Sequence, residues 1–363
     1  MKTKLVYALT ITPESNYCEQ ALISIYTARY YNPEAIIILV IDDKTNNLIV
    51  GKRSEILNYI TDKIVIKFDD DLSAMQRSRS IKTSLRKYIK GDFLFIDSDT
   101  LITESLKEID NINQNIAAVL ESHLEVPEFT SELYEKVEKY AANLKWNLSA
   151  EKHYFSSGVI YVKDSPVCHE FFNKWHNYWK EGCLNGVCID QPSFAKANIE
   201  LGYPVKEIDG RWNCVMYTHV EFVYTAIILH FCSFRNMSYI FGDRFLEKVK
   251  NEGVGINTFI MNSILNPHKT YLPFENILFN FKIRNYFKLI TEVKITAKNI
   301  YYHLDKFYDD YIGKTRIEAY SKILFQKKLF LCGSILLVLY KFYRVKLNKK
   351  YKYVSNTCAI NNI

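Results

Sequence analysis

No two cysteines stand in a Cys-x-x-Cys pair. None of the eight (Cys18, Cys168, Cys183, Cys188, Cys214, Cys232, Cys332, Cys358) is spaced like the ligands of a zinc ribbon or finger. This excludes a stapled or zinc-built scaffold and implies reduced thiols in a cytosolic protein. The opening apolar run is ended by Pro13, Glu14 and Ser15 with no small-residue cleavage signal, so no secretory signal is expected. Internal repeats and low-complexity linkers are missing as well. From Ser321 to Ile363 there is no Asp or Glu, against nine Lys or Arg. Setting those nine against the formal charge of +7 leaves −2 for the first 320 residues. A near-neutral body excludes a broad nucleic-acid-binding surface. A basic tail calls for one anionic partner, with a membrane surface first in line.

What is present fits an ordinary core. Hydrophobic residues at 48% and charged residues at 24% of 363 suit one large α/β domain with an appendage, or two domains. Residues 5–11 form an apolar run, and 18–31 a helical pattern. Residues 35–41 are continuously apolar, as in a parallel strand covered on both faces, and end in Asp42-Asp43. Helices over 52–60 and 73–90 lead into strands over 63–68 and 93–96. This alternation predicts right-handed crossovers and a mostly parallel sheet flanked by helices. Strands over 116–120, 155–162 and 226–231 and helices over 132–144, 167–180 and 190–201 follow. The expected division is 1–250, in halves 1–103 and 104–250, then an aromatic, basic helical appendage over 251–363 with a membrane-associating tail at 321–352. Within it, the twelve uncharged residues 329–340 would span about 18 Å as a helix, short of the roughly 30 Å hydrocarbon core. They fit an interfacial helix or one packed on the body.

The chemistry concentrates in Gly91-Asp92-Phe93-Leu94-Phe95-Ile96-Asp97-Ser98-Asp99-Thr100. Side chains alternate faces along a strand, so Asp97 and Asp99 can share one side at its C-terminal end. Two hard oxygen ligands suit Mg²⁺ or Mn²⁺, which would hold a diphosphate. Arg79, Lys82 and Arg86 recur at spacings of three and four on the preceding helix, and one of them is expected to reach the site. Asp190 and Pro192 read as a helix cap and first turn.

Four further stretches carry a resemblance over about residues 5–235: Thr10-Ile11-Thr12-Pro13-Glu14-Ser15-Asn16-Tyr17, Tyr154-Phe155-Ser156-Ser157-Gly158-Val159, Asp190-Gln191-Pro192-Ser193-Phe194 and Leu229-His230-Phe231. Together with Phe95 to Thr100 they resemble the nucleotide-sugar-dependent transferases of the GT-A (Rossmann-like) fold, most closely glycosyltransferase family 8 and its bacterial relatives. The resemblance implies that Asp97, Asp99 and His230 bind Mn²⁺ (or Mg²⁺), which bridges the phosphates of a UDP-sugar. It places Arg79 or Lys82 beside the donor, and Thr10, Thr12, Tyr17 and Asp42 around the nucleoside. Ser157 and Gly158 admit the donor sugar, and Asp190 and Gln191 lie beneath the anomeric carbon. Where many relatives carry Asn, this chain has Ser156. Where they carry Lys and Trp after the histidine, it has Phe231-Cys232-Ser233-Phe234-Arg235, with Arg235 a candidate replacement cation.

The function expected is metal-dependent transfer of a hexose from a UDP-sugar to a surface glycan or lipid-linked acceptor, with retention. The expected place is the cytoplasmic side, at the inner face of the membrane, in polysaccharide biosynthesis. A nucleotidyltransferase acting on sugar phosphates is the alternative enzyme. It calls for a glycine-rich loop where this chain has Thr12-Pro13-Glu14-Ser15-Asn16. A non-catalytic transferase-like scaffold on the membrane is the other alternative.

Overall fold

The structure, a computed structural model, describes residues 1–267 except 70, 130, 149–150, 216–221, 223–224, 233–236, 238–240, 242–243 and 256. Arg235, the tail over 321–352 and the 329–340 segment lie outside the described residues.

The central sheet holds β1 (Lys4–Leu9), β2 (Ile37–Asp42), β3 (Asp62–Ile66), β4 (Phe93–Ile96), β6 (Ile116–Leu120), β7 (Phe155–Val162) and β8 (Val205–Glu207) in the order β3-β2-β1-β4-β7-β6-β8. The mostly parallel sheet predicted from the alternation is found. β3, β2, β1 and β4 are mutually parallel, β8 is parallel to β6, and β7 runs antiparallel to both of its neighbours. All six residues of β2 are buried, which its unbroken apolar run requires once helices cover both faces.

The helices are α1 (Tyr17–Tyr31), α2 (Asp43–Leu48), α3 (Ala74–Thr83), α4 (Leu85–Tyr88), α5 (Ser131–Leu144), α6 (Pro166–Leu184), α7 (Gln191–Glu200), α8 (Phe245–Glu252) and α9 (Thr258–Leu265). Phe93, Phe171, Phe172, Trp175 and Phe194 make an edge-to-face aromatic layer where α6 and α7 cover the sheet. None of the described helices is long and apolar enough to cross a membrane.

Two helix expectations need correction. The 52–60 segment is a 3₁₀ stretch, Gly51–Asn58, that follows α2 and is entered through Gly51 at a φ of +57°. The 73–90 helix starts at a capping box between Ser73 and Gln76, but it breaks at Ser84, whose hydroxyl donates back to Ser80 O at 2.6 Å. Such back-bonding competes with the helix ladder. The break sends Arg86 away from Arg79 and Lys82. Arg86 lies over the Phe93 ring, donates to Gly91 O at 2.8 Å, and so clamps the start of β4 rather than its end.

β5 (Thr100–Ile102), β9 (Cys214–Val215) and β10 (Ile228–His230) make a second sheet in the order β5-β10-β9. In its antiparallel register His230 lies opposite Thr100. This three-residue ladder carries His230 to Asp99, and no strand pattern in 100–102 or 214–215 announced it. On the other side of the fold, α8 and α9 attach to α1 and the 3₁₀ stretch. Tyr26 hydroxyl donates to Met261 Sδ at 3.1 Å, and the Glu55 carboxylate accepts from Gly255 N at 2.8 Å.

Candidate active site

The turn from β4 to β5 is pinned at four points before any ligand arrives. Asp97 N donates to Gly158 O at 2.8 Å, Thr100 Oγ1 to Asp97 O at 2.9 Å, and Phe231 N to Asp99 O at 2.9 Å. The Thr100 hydroxyl is also hydrogen-bonded to Ser24 Oγ on α1 at 2.6 Å. These bonds aim the two carboxylates at β10. One oxygen each of Asp97 and Asp99 and one nitrogen of His230 all lie within 4.8 Å of one another. Among the described residues this is the one cluster of three acidic, thiol or imidazole groups placed to hold an ion.

His230 is oriented by a residue that sequence reasoning missed. Its Nδ1 meets Asn213 Oδ1 at 2.8 Å, and Asn213 Nδ2 donates to Ser156 Oγ at 3.0 Å. With the Asn213 oxygen facing the ring, Nδ1 carries the proton of that bond. Nε2, 3.2 Å from Asp99 Oδ1, is then the ligating nitrogen of the neutral ring. Gly158 is required behind it, because a Cβ there would lie 2.4 Å from His230 Cε1 and 3.2 Å from Asp97 Oδ2. Two carboxylates and an imidazole so oriented fit a divalent cation.

Electrostatically the trio is tied to α3. Burial pushes Asp97 up, and Lys82 opposes it. Burial pushes Asp99 up too, but His230 outweighs it and the carboxyl ends lower than usual. Burial alone would lower His230; Cys232 and Asp99 reverse that, and the imidazole is held well above its ordinary value.

Lys82 is buried over the Phe95 ring. Its Nζ sits 3.2 Å from both Asp97 oxygens, 3.0 Å from Asp190 Oδ2 and 3.4 Å from Ser157 Oγ. Arg79 Nε pairs with Asp190 Oδ1 at 2.8 Å, and Ser157 Oγ donates to Asp190 Oδ2 at 2.8 Å. Against the upward push of burial, Lys82, Arg79 and Ser157 hold the Asp190 carboxyl well below the usual carboxylate range.

The Asp190 main-chain oxygen accepts from Trp175 Nε1 and Ser193 Oγ, so the side chain is set by α6 and α7 together. Next in the chain, Gln191 Nε2 donates to Glu121 Oε2 at 2.6 Å and to Phe155 O at 3.0 Å. The amide nitrogen is thereby spent, leaving Oε1 as its acceptor face.

The structure thus brings Asp97, Asp99, His230, Lys82, Arg79, Ser157, Gly158 and Asp190 into one connected cluster, with Gln191 adjoining it. The nucleoside candidates are placed differently. Tyr17 opens α1 half-exposed, near enough to Arg79 to contribute, after Asp190, Asp97 and Asp99, to the field that raises the guanidinium. Thr12 closes a turn with Ser15. Thr10 is buried, and its hydroxyl has no partner among the described residues.

Asp42 is wholly buried and fully engaged. It caps α2 by accepting from Thr45 N at 2.9 Å and Thr45 Oγ1 at 2.8 Å, and it pairs with Arg77 Nε at 3.3 Å. Its carboxylate shapes the loop from inside and offers the site no free face. Arg77, Glu121 and Asn213 had no legible signal, since each is an isolated polar residue whose partner lies far away in the chain.

No curated protein gives a match to the chain. Solved structures do. Mouse xyloside xylosyltransferase 1, in its apo form, is 11% identical and aligns over 63% of this chain and 97% of its own, with a TM-score of 0.41. The galactosyltransferase LgtC, in complex with donor and acceptor sugar analogs, is 14% identical over 64% and 88%, with a TM-score of 0.41. The glycosyltransferase GlyE of Streptococcus pneumoniae TIGR4 is 15% identical over 73% and 63%, again with a TM-score of 0.41. The sequence profile of glycosyl transferase family 8 matches residues 10–235, a span that contains every member of the cluster described above, and the chain belongs to that family of glycosyltransferases.

Proposed function

We propose that the chain transfers a hexose from a UDP-sugar to a surface glycan or lipid-linked acceptor with retention, in a reaction that requires Mn²⁺ or Mg²⁺ at Asp97, Asp99 and His230. The observation carrying this reading is the convergence of those three ligands beside two buried or half-buried cations that both grip Asp190. A divalent cation supplies charge neutralisation for the departing diphosphate.

The chain's own residues do the rest. Arg79, 34% exposed along its side chain and next to Tyr17, faces the incoming donor and receives phosphate oxygens. Asp190 stays ionised at any physiological pH, so it accepts hydrogen bonds from sugar hydroxyls and does not serve as a proton donor. Gln191, with its nitrogen fixed by Glu121, presents Oε1 to the positive charge that develops at the anomeric carbon. Gly158 and Ser157 leave the backbone open to the sugar.

A lipid-linked or membrane-embedded acceptor at the inner leaflet, engaged by the basic tail, is supported by the charge pattern of 321–363. The test is UDP release from a panel of UDP-sugars with Mn²⁺, on the wild type and on Asp99→Asn. We expect one donor to be turned over and the variant to lose about 100-fold or more, the order that removal of a single transition-state stabiliser gives. An unchanged rate in Asp99→Asn refutes the metal assignment.

A further inference from the structure

A pair of thiols is built into the segment that carries Asp190. α6 ends in a reversing turn, with Gly186 at a φ of +78°, Val187 N donating to Gly182 O at 2.8 Å and Gly186 N to Cys183 O at 3.1 Å. Those bonds lead the chain back along the helix. Gly182 leaves room for it, since a Cβ there would lie 2.8 Å from Val187 O.

The returning segment is then gripped by residues four apart on one stripe of α6. Trp175 Nε1 donates to Asp190 O and Trp179 Nε1 to Cys188 O, each at 2.9 Å. Cys183 is the next position on that stripe. Its thiol neighbours the Cys188 thiol, and both are only partly buried, within reach of small solutes.

We propose that Cys183 and Cys188 form a thiol–disulfide exchange site, closed by low-molecular-weight disulfides, which ties the 188–190 segment to α6 and so displaces Asp190. One thiolate attacks the small disulfide and releases one thiol. The second then attacks the mixed disulfide and releases another, so the two cysteines lose two protons and two electrons and the small disulfide is reduced to two thiols. A disulfide needs its sulfurs about 2.05 Å apart, closer than two unbonded thiols can stand. Cys188 must therefore move relative to Trp179, and the shift passes along two residues to Asp190. Burial, and then the neighbouring Cys188 thiol, push the Cys183 thiol up to about 12, so exchange is slow at neutral pH and is best driven under alkaline conditions.

The disulfide stands independently of the donor-site reading, whereas its effect on turnover rests on it. The test treats the full chain with oxidised glutathione at alkaline pH, blocks free thiols with N-ethylmaleimide and maps the peptides. UDP release is followed in parallel. The expected product is a peptide spanning 183–188 that is lighter by two hydrogens, unblocked, and restored by dithiothreitol, with a several-fold fall in turnover that dithiothreitol reverses. Cys183→Ser and Cys188→Ser should keep the basal rate and lose the response. Recovery of both thiols blocked, or capped separately by glutathione, overturns the site. A linked pair with unchanged turnover overturns the coupling to Asp190. A chain that releases no UDP in either redox state sinks the donor-site reading, and the peptide map still decides the pair.

Discussion

Gly158→Ala is the sharpest probe of the site, because one added methyl group meets two ligands of the trio at once. The backbone at 158 is ordinary β-strand, and Gly158 is absent from the positive-φ residues, so alanine itself fits the chain conformation. The obstruction is spatial. The new Cβ would lie 2.4 Å from His230 Cε1 and 2.8 Å from Nδ1. Ordinary carbon contacts begin near about 3.5 Å, so the imidazole must retreat by about 1 Å. It cannot swing freely, since Nδ1 is held by Asn213 and Nε2 faces Asp99.

Metal–ligand distances tolerate only about 0.2 Å. A 1 Å retreat therefore removes the histidine from the coordination set or drags the Asn213 bond with it. Overpacking of this size costs about 1–3 kcal/mol of stability, which a domain of this size survives. Loss of an oriented ligand or of its supporting shell lowers metal affinity by about 10–100-fold. Titrating Mn²⁺ by electron paramagnetic resonance, with circular dichroism to establish that the variant is folded, separates the two effects. A folded Gly158→Ala protein that binds Mn²⁺ within twofold of wild type refutes the reasoning.

Lys82→Met removes the cation shared by Asp97 and Asp190 and should destabilise the metal-free protein by about 3 kcal/mol, the usual cost of stranding a buried partner. Thermal melts with and without Mn²⁺ check this, because the ion should recover part of the loss at Asp97 and none at Asp190. The depressed Asp190 carboxyl sets a pH dependence. The stability that its ion pairs contribute is complete above the unfolded carboxylate value of about 3.9 and declines as pH falls from there towards the lower folded value. The stability gap between wild type and Asp190→Asn in urea melts should therefore be constant near neutrality and narrow on acidification; a gap that widens on acidification contradicts the pairing. UDP should tighten Mn²⁺ binding by about tenfold or more, read by calorimetry with and without the nucleotide, and equal affinities in the two titrations would count against the diphosphate reading.

The legible parts of this chain were those in which one residue type repeats over a whole element. β2 could be read because seven consecutive apolar residues have no stable place except a strand covered on both sides. Asp97 and Asp99 could be read because a strand precedes them and alternation puts them on one side. What was not legible depends on partners far away in the chain. β10 could be read from its apolar run, but the two- and three-residue strands β9 and β5 have no measurable period, and it is their pairing with β10 that brings His230 next to Asp99. Asn213 sits 17 residues from the ring it orients. The break at Ser84 turns on one hydroxyl choosing a backbone carbonyl, and with it Arg86 leaves the stripe that Arg79 and Lys82 share.

Asp42 shows the same limit from the other side. A carboxylate at a strand end near a nucleotide loop looks like a ligand-binding group, but Thr45 and Arg77 consume it. The choice between the two roles is made by tertiary partners. The charges at the site follow the same logic. Asp97, Asp99 and Asp190 face Lys82, Arg79 and a histidine whose imidazole is held toward its protonated form, so three carboxylates meet three cationic groups without any ligand. A site neutralised from within holds its shape when empty, which buried carboxylates could not do alone. For the same reason a bare dication meets a site whose negative charge is already matched. A dication arriving with a diphosphate brings compensating charge of both signs. Buried Lys82 and half-buried Arg79 thus act twice: they keep the empty site folded, and they favour metal and nucleotide entering together over metal entering alone.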